Sequence, residues 1–381
     1  MSKVEELLAK YNSNGISTIK LADILDYEQP SKYIVSSSDY DDNYDIPVLT
    51  AGQSFILGYT DEKDGVYKAS KNNPTIIFDD FTTGHHWVDF DFKIKSSAMK
   101  MLRLKNDKSL LRYIFHSMAL INYVPTEHSR QWISKYSQFE IPIPHIKVQE
   151  EIVKILDSFT NLIDALNEEL SLRQKQFDYY REKLLTFDHK SILKPINEIG
   201  TLFRGNGLQK KDFVDEGVGC IHYGQIYTKL GFSLSKPLTY VTKETAKPLT
   251  KVRKGDLVIA CTSENIEDVC KSVVWEGEEE IVTGGHACVL RHNENPRYIG
   301  YFFQTHQFFM QKKQYAYGAK VIDIKTEKLG EILIPIPSLS IQQSIVEKLD
   351  AFESLISSLK EEIALRQKQY EYYREKLLTF D

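Results

Sequence analysis

Leu172-Arg-Gln-Lys-Gln-Phe-Asp-Tyr-Tyr-Arg-Glu-Lys-Leu-Leu-Thr-Phe-Asp188 returns 193 residues later as Leu365-Arg-Gln-Lys-Gln-Tyr-Glu-Tyr-Tyr-Arg-Glu-Lys-Leu-Leu-Thr-Phe-Asp381. The alignment extends back without a gap to Pro142-Ile-Pro144 and Pro335-Ile-Pro337, and 29 of its 47 positions are identical. The sequence before each copy shows no comparable identity. One constant element is therefore used twice, each time after a different variable module.

The distance between the copies indicates duplication of a whole domain. A period of 193 residues is far longer than the roughly 20–50 residues of a solenoid repeat. The chain divides into a first module at 1–147, a central helix at 148–188, a second module at 189–340 and a distal helix at 341–381. This order predicts a pseudo-two-fold protein that does one kind of work on two different targets.

Composition is typical of a folded intracellular protein. The 381 residues are 42% hydrophobic and 12% aromatic, which is enough for two or three domains with real cores. The N-terminus lacks a signal-peptide pattern, and no apolar run approaches the ~18 residues of a membrane span. Cys220, Cys261, Cys270 and Cys288 contain no CxxC pair, so we expect reduced thiols and a cytoplasmic location.

The net charge of −5 argues only weakly against a nucleic-acid partner. Acidic helices contribute to this sum, and the distribution of charge over the surface matters more than the total. We therefore expect the isolated chain to bind DNA modestly, with a partner protein supplying further phosphate contacts.

Each constant element is predicted to be one long helix. No proline or glycine occurs between Val148 and Thr186, and apolar residues recur every seven positions, as in a coiled-coil seam. The Pro-Ile-Pro tripeptides favour extended backbone before each helix, and Ser340 with Gln343 resembles a capping box. The predicted seam and subunit-docking positions are Phe159, Ile163, Leu166, Leu170, Phe177, Tyr180, Leu184, Phe352, Ile356, Leu359, Ile363, Tyr370, Tyr373 and Leu377.

The heptads leave alternatives open. Each helix could pack only on its own module, or the two helices could pack on each other. Two copies of equal length favour an antiparallel pair, which would place the modules at opposite ends. The motif Tyr-Tyr-Arg-Glu-Lys-Leu-Leu carries more aromatic and charged residues than a two-stranded seam needs, so a helix of another protein could also pack there.

The variable modules mix short strands with helices, which indicates an α/β or α+β fold. The predicted strands are Ile46–Thr50, Thr75–Phe78, Asp256–Ala260 and Ala287–Leu290, and the predicted helices are Leu110–Ile121 and Tyr298–Lys313. Ala51-Gly-Gln53 resembles Tyr223-Gly-Gln225, and Thr75–Asp79 resembles Asp256–Ala260. After each of these strands the chain enters a polar loop.

These loops are the candidate DNA-binding sites, because hydroxyls, amides, imidazoles and cationic groups form hydrogen bonds or ion pairs with phosphates and base edges. Loops at Arg130–Lys135 and Tyr317–Lys325, just before the Pro-Ile-Pro segments, are similar candidates. The candidate residues are Thr82, Thr83, His85, His86, Trp87, Arg130, Lys135, Arg204, Lys210, Lys211, Tyr223, Gln225, Thr262, Ser263, Asn265, His286 and Lys320.

Simpler interpretations of these residues stay open. His85 and His86 could be an exposed pair without a role, whereas a metal pair would need a third ligand that is absent at motif spacing. Arg204, Lys210 and Lys211 could be solvated charge. No nucleotide-binding or nucleophile motif is present in the sequence, so we expect no catalysis, no metal and no cofactor in this chain.

Two unlike modules, two near-identical helices, the Pro-Ile-Pro segments and the Leu-Arg-Gln-Lys-Gln motif together resemble the specificity (S) subunit of type I restriction–modification systems. The resemblance covers essentially the whole chain. It implies a mixed α/β fold with two globular target-recognition domains joined by two long antiparallel coiled-coil helices. It also implies that each domain reads one half of a bipartite site in double-stranded DNA.

The same resemblance implies partners for the chain. Two methyltransferase subunits, which bind S-adenosylmethionine and methylate adenine, would dock on the helices. Separate restriction subunits would use ATP and Mg²⁺, and no membrane would be involved. A different class remains as the alternative, namely a scaffold whose two modules bind proteins and whose helices hold them apart. Such a scaffold would lack the steep salt dependence that phosphate contacts confer.

Overall fold

The computed structural model describes residues 2–52, 54–186 and 192–380. The chain forms two compact units. Unit 1 comprises Met1–Asn167 and Glu361–Asp381, and unit 2 comprises Glu168–Lys360. In the described ranges, every helix is too short or too polar to cross a bilayer.

Unit 1 contains the first variable module. Its helices are α1 (Lys3–Tyr11), α2 (Leu21–Ile24) and α3 (Leu111–Met118). Its strands are β1 (Ser17–Lys20), β2 (Leu25–Glu28), β3 (Ile46–Leu49), β4 (Ile56–Thr60), β5 (Thr75–Asp79), β6 (His85–Val88), β7 (Lys93–Ile94), β8 (Met99–Leu104) and β9 (Glu140–Ile143).

Two sheets form the body of unit 1. One has the strand order β2-β8-β5-β6 and the other β4-β3-β7. Strand β5 is central, and its first four residues are fully buried. This burial explains the continuous apolar sequence at 76–78. One face of its sheet joins the core of α3 and the long helices, and the other packs on the second sheet.

Unit 2 is built from more numerous short elements. Two long helices are shared between the units, namely α4 (Ile146–Leu185) and α11 (Leu339–Leu378). The short helices of unit 2 are α5 (Ile196–Ile199), α6 (Tyr223–Thr228), α7 (Lys243–Ala246), α8 (Pro296–Phe302), α9 (His306–Tyr315) and α10 (Thr326–Gly330). The strands are β10 (Leu193–Pro195), β11 (Gly200–Arg204), β12 (Val218–Ile221), β13 (Ser233–Leu234), β14 (Thr239–Val241), β15 (Thr250–Val252), β16 (Leu257–Ala260), β17 (Thr262–Ser263), β18 (Ser272–Trp275), β19 (Ile281–Thr283), β20 (Ala287–His292), β21 (Ile322–Asp323) and β22 (Leu333–Pro335).

The sheets of unit 2 repeat those of unit 1 strand by strand. The orders β11-β20-β16-β18-β13 and β14-β12-β19-β15 match β2-β8-β5-β6 and β4-β3-β7, with one extra strand at an edge of each sheet. In both units the smaller sheet contains one parallel pair, β3 with β7 and β12 with β19. The two modules therefore share a fold although their sequences have diverged.

The Pro-Ile-Pro segments lead into the long helices as predicted. The first segment begins in β9, which ends at Ile143, and the second begins at Pro335, the last residue of β22. The antiparallel partners of β9 and β22 are β1 and β10. Helices α4 and α11 are each 40 residues long and begin two residues before the 148 and 341 boundaries. Their interiors contain no proline or glycine, which permits continuous helix over about 60 Å.

The two long helices run antiparallel within each unit. In unit 1 the rings of Phe159 and Tyr373 stack at 5.3 Å between centroids. In unit 2 the rings of Tyr180 and Phe352 stack at 5.4 Å. The predicted seam positions are buried or half-buried apart from Tyr373, which is 39% exposed. The prediction of an antiparallel helix pair is confirmed.

Three details of the predicted elements were wrong. Ser340 does not cap a helix, because α11 begins at Leu339 and Ser340 lies inside its first turn. The helix predicted at 298–313 is broken at 303–305, where Thr305 Oγ1 caps α9 by accepting from the Phe308 amide. Residues 85–87 form strand β6 paired with β5 rather than a loop.

Candidate nucleic-acid interface

A carboxylate on each long helix holds the variable module of its unit. In unit 1, Oδ1 of Asp157 accepts from Nε of Arg112 at 2.7 Å and from Nε2 of His116 at 2.9 Å. In unit 2, Oδ1 of Asp350 accepts from Nε of Arg297 at 2.9 Å and from the Tyr301 hydroxyl at 2.6 Å. Asp157 and Asp350 are equivalent positions of the repeat.

The charges of the unit 1 contact follow from its burial. Burial would raise the pKa of Asp157, but the hydrogen bonds from His116 and Arg112 outweigh it, and the pKa lies below its usual value. Burial lowers the pKa of His116, which favours the neutral ring. A neutral ring that donates from Nε2 to Asp157 must accept at Nδ1, where the Tyr370 hydroxyl lies 3.1 Å away.

A second pair of contacts repeats with the same register. The side-chain oxygen of Gln149 accepts from the Leu110 amide at the start of α3, and that of Gln342 accepts from the Asn295 amide at the start of α8. The hydroxyl of Tyr113 donates to the carbonyl of Pro142, and that of Tyr298 to the carbonyl of Pro335. Each module is thus fixed to its long helix by the same set of interactions, which we call the mounting contacts.

Sequence reasoning missed these contacts, although a signal was present. Arg112-Tyr-Ile114 and Arg297-Tyr-Ile299 are the matching tripeptides of the two modules. They stand 185 residues apart, eight fewer than the period of the constant helix, so the alignment of the repeat does not bring them into register.

In unit 2, five of the predicted residues converge near the ends of β16 and β19 and the start of β20. The hydroxyl of Thr262 lies 3.0 Å from Nδ1 of His286 and donates to Oδ2 of Asp323 at 3.0 Å. Arg204 donates to the same Asp323 oxygen at 3.2 Å. The ring of Tyr223 lies 5.0 Å from that of His286. Burial, together with the nearby positive charge of Lys210, lowers the pKa of His222, so Lys210 belongs to the same neighbourhood.

Glycines allow the loops of this cluster to approach closely. A Cβ on Gly205 would lie 2.1 Å from the carbonyl oxygen of Gly284, and a Cβ on Gly284 would lie 2.1 Å from Cβ of Leu208. Larger residues at either position would force the loops apart. The cluster therefore presents Arg204, Lys210 and His286 on neighbouring loops whose backbones are in contact.

The other unit 2 candidates have different surroundings. Gln225 is buried, and its side chain is bonded to the His222 amide and to Thr239. Ser263 is buried in β17, and Asn265 is bonded through its amide to Asp268 within its own loop. Lys211 and Lys320 are exposed. Lys211, Lys320 and Asn265 therefore lie at the surface, whereas Gln225 and Ser263 are buried.

In unit 1, Asp80 holds the segment that begins at Arg130. Its Oδ1 accepts from the Trp132 amide at 2.7 Å, and its Oδ2 lies 2.9 Å from Nζ of Lys100 in an ion pair that is 1% exposed on both sides. Arg130 is half exposed, 3.8 Å from the same oxygen. Lys135 pairs with Glu127 at 3.5 Å. A buried charge pair of this kind is costly to break, so the exposed side of this segment has a rigid base.

The corresponding segment of unit 2 is attached at the same place. The Gln131 amide donates to the carbonyl of Asp80, and the Ile324 amide donates to that of Cys261. Asp80 and Cys261 each follow the central strand of the larger sheet. The loops before Gln131 and Ile324 are therefore equivalent surfaces, and they contain the candidates Arg130 and Lys320.

The histidine–tryptophan cluster of unit 1 is largely internal. His85 and Trp87 project from the same side of β6 towards Phe115 of α3, at 5.6 and 5.9 Å between ring centroids. Arg112 stacks on Trp87 at 4.7 Å. His86, on the opposite side, stacks on Phe55 and lies 3.2 Å from the Gly52 carbonyl. The expectation that these three rings sit on an exposed loop was wrong, because strand pairing turns two of them into the core.

The turn between β5 and β6 retains exposed polar groups. Thr82 is exposed, and its hydroxyl accepts from the Gly84 amide at 3.3 Å. Thr83 has a φ of 61° and is 9% exposed. Left-handed backbone at a non-glycine residue is uncommon, so this turn has a defined shape. Among the unit 1 candidates, Thr82, Arg130 and Lys135 have polar groups that reach the surface.

A stripe of exposed apolar side chains repeats on the long helices. Leu172 and Tyr179 are both 58% exposed, and their counterparts Leu365 and Tyr372 are 57% and 59% exposed. The second copy borders an open groove of about 420 Å³ that also contains Arg366 and Gln369. Single exposed apolar residues are ordinary, but a duplicated stripe at heptad spacing is typical of a helix-packing surface. We call it the exposed stripe.

Comparison with known proteins assigns the family. Residues 14–172 and 193–365 match the type I restriction modification DNA specificity domain. The chain belongs to the specificity-subunit family of type I restriction–modification systems. The specificity subunit of an Escherichia coli type I restriction enzyme is 39% identical over 400 aligned residues, covering 100% of this chain and 97% of that protein. A putative specificity subunit of Haemophilus influenzae is 29% identical, with 86% of each chain covered.

Solved structures of S subunits share the fold. The S subunit of the type I system from M. genitalium aligns with a TM-score of 0.59 at 15% identity, over 96% of this chain and 97% of that one. A chain from a study of type I complex assembly aligns with a TM-score of 0.53, also at 15% identity, over 96% of both chains. The two matched domains favour DNA target recognition as the role of this S-family chain over the protein-binding scaffold.

Proposed function

We propose that unit 1 and unit 2 each read one half of a bipartite site in double-stranded DNA. The observation that carries this proposal is the duplication of the mounting contacts beneath surfaces that differ. Asp157 and Asp350 hold their modules through equivalent bonds, whereas the exposed polar groups at the sheet ends are unlike. The same attachment with a different surface is what two independent half-site readers require.

In this proposal α4 and α11 set the gap between the half-sites. Helices of 40 residues extend about 60 Å, and their seam residues apart from Tyr373 are buried or half-buried. DNA rises 3.4 Å per base pair, so a change in helix length should change the number of unspecified base pairs between the half-sites.

The exposed stripe is the proposed docking surface for two methyltransferase subunits, one on each copy. Those subunits would bind S-adenosylmethionine and methylate adenine, and restriction subunits would join with ATP and Mg²⁺. The chain itself would contribute no catalytic group and would work in the cytoplasm, where its cysteines, which the structure shows as free thiols, stay reduced.

The test is to map methylated adenines genome-wide in cells that carry the methyltransferase partner with and without this chain. A bipartite motif that is methylated only when the chain is present supports the proposal. Binding of the complex to a duplex with that motif should also fall steeply with salt, because phosphate contacts release counterions. Partner binding that is insensitive to salt, with no DNA affinity, would instead indicate the protein-binding scaffold.

A further inference from the structure

His286 occupies an unusual backbone position in unit 2. It is exposed, although it stands between β19 and β20, whose residues near the turn are buried. Its φ is 68°, in the left-handed region where histidine, asparagine and aspartate are the enriched non-glycine residues. Its carbonyl accepts from the Cys261 amide at 2.8 Å, which fixes the backbone at the end of the central strand. The imidazole is therefore held outward at a defined place.

The hydrogen bonds around Thr262 determine the tautomer of His286. Because a carboxylate can only accept hydrogen bonds, the Thr262 hydroxyl donates its single hydrogen to Oδ2 of Asp323. The Thr262 oxygen must then accept from Nδ1 of His286, 3.0 Å away. The neutral ring thus carries its hydrogen on Nδ1, and Nε2 is left as an acceptor. Within the described part of the chain, Nε2 has no hydrogen-bond partner.

Arg204 completes the arrangement. It donates to Oδ2 of Asp323 at 3.2 Å and to the Ile324 carbonyl at 3.3 Å, so the carboxylate that orders Thr262 is itself held in place. Tyr223 lies beside the imidazole, and Lys210 adds positive charge nearby. The result is a fixed acceptor on a surface of cationic side chains, which suits a base edge flanked by phosphates.

We propose that His286 is a base-reading residue of unit 2 and that Thr262 and Asp323 are its positioning residues, which hold Nε2 as an acceptor. This inference rests on the proposed function. An acceptor pairs with the exocyclic amino group of adenine or cytosine in the major groove and is repelled by the O4 of thymine and by the O6 and N7 of guanine. One base pair of one half-site is therefore read through this atom.

The experiment compares genome-wide adenine methylation by the complete complex containing the wild-type chain, His286→Gly or Thr262→Val. Glycine adopts the left-handed backbone freely and brings no acceptor of its own, and valine keeps the shape of Thr262 while removing its hydroxyl. Both variants should become degenerate at the same single base pair of one half-site, with the other half-site unchanged. His306→Asn, an exposed histidine of the same unit, is the matched control and should leave the motif intact.

Affinities measured with duplexes give the size of the effect. The wild-type complex should discriminate against a duplex changed at that base pair by about 5- to 150-fold, and the His286→Gly complex should bind both duplexes about equally. A motif that stays fully specified in both variants overturns the inference, as does a uniform loss of affinity with a smaller salt slope, which marks a phosphate contact. Absence of any bipartite motif with the wild-type chain would instead refute the proposed function.

Discussion

Oδ1 of Asp157 lies 2.7 Å from Nε of Arg112, and this bond joins the constant helix of unit 1 to its variable module. The same oxygen accepts from His116, whose ring is fully buried. One carboxylate therefore accepts hydrogen bonds from two donors that burial would otherwise leave without a partner. Loss of the Asp157 carboxylate should accordingly lower the stability of unit 1.

Asp157→Ala should lower the stability of unit 1 by about 1–3 kcal/mol, because the charge-assisted hydrogen bonds to Arg112 and His116 are lost together. Urea unfolding with a probe in unit 1 measures the change. Asp164→Ala removes an exposed carboxylate from the same helix and is the control, with an expected change below ~0.5 kcal/mol. Equal effects of the two substitutions would show that the mounting contact contributes nothing particular.

Methyltransferase docking should depend on the exposed stripe. Leu172→Asp with Tyr179→Asp places charge on one copy, and Leu365→Asp with Tyr372→Asp on the other. Because these side chains are already more than half exposed, the melting temperature should hardly change, while each pair of substitutions should remove one of two bound methyltransferase subunits.

Size-exclusion chromatography with light scattering counts the methyltransferase subunits bound to each variant. Ser171→Asp, an exposed neighbour, should leave both subunits bound, and a full complement on the doubly altered stripe would exclude it as the docking surface.

Stability should fall with acid in a way that His85 explains in part. Burial, with smaller contributions from His86 and Arg374, lowers the pKa of His85 to about 4, against about 6.5 in the unfolded chain. The unfolded state therefore binds more protons below pH 6.5, and the free energy of unfolding declines as the pH falls from about 6.5 towards 4. At pH 5.5 the share of His85 is about 1 kcal/mol.

Replacing His85 by phenylalanine should remove that share. The drop in melting temperature between pH 7.5 and pH 5.5 should be smaller for His85→Phe than for the wild type, and His306→Asn should behave as the wild type because His306 is exposed. His116 and His292, whose pKa values burial also lowers, maintain the remaining decline. An identical acid response in all three proteins would mean that His85 is solvated.

Helix length should set the gap in the DNA target. A heptad inserted after Glu169, together with one after its counterpart Glu362, lengthens both long helices by about 10 Å, or roughly three base pairs. Both half-site sequences should persist in the methylated motif while the gap grows. A control chain in which the same heptad replaces residues 163–169 and 356–362 without insertion should keep the original gap. An active inserted complex with an unchanged gap would contradict the role of the helices as a spacer.

The constant helices could be predicted almost completely from the sequence. Heptads without proline or glycine over some 40 residues leave little alternative to continuous helix. Because the two copies have equal length, each long helix was expected to pack antiparallel on the other. Phe159 against Tyr373 and Tyr180 against Phe352 confirm it. Local periodicity was sufficient here because the interaction depends on helical spacing alone.

The candidate site could be predicted only in part, because its geometry depends on contacts distant in sequence. His85 and Trp87 looked like an exposed polar loop until pairing with β5 turned them towards α3. Asp323, which orders Thr262 across 61 residues, carried no local signal. The turn residues Thr82 and His286 were predicted as candidates from composition, and contact of either residue with DNA stays a prediction.

The most direct test of two independent half-site readers is to exchange residues 189–334 for the second module of another S-family chain and to map the methylated motif. The repeat preserves Asp350 and Gln342 outside the exchanged segment, so the new module can use the same mounting contacts if it carries an Arg-Tyr-Ile tripeptide. If each unit reads its own half-site, one half of the motif changes to that of the donor while the other half and the gap remain. A motif altered in both halves, or an original motif that survives intact, would contradict it.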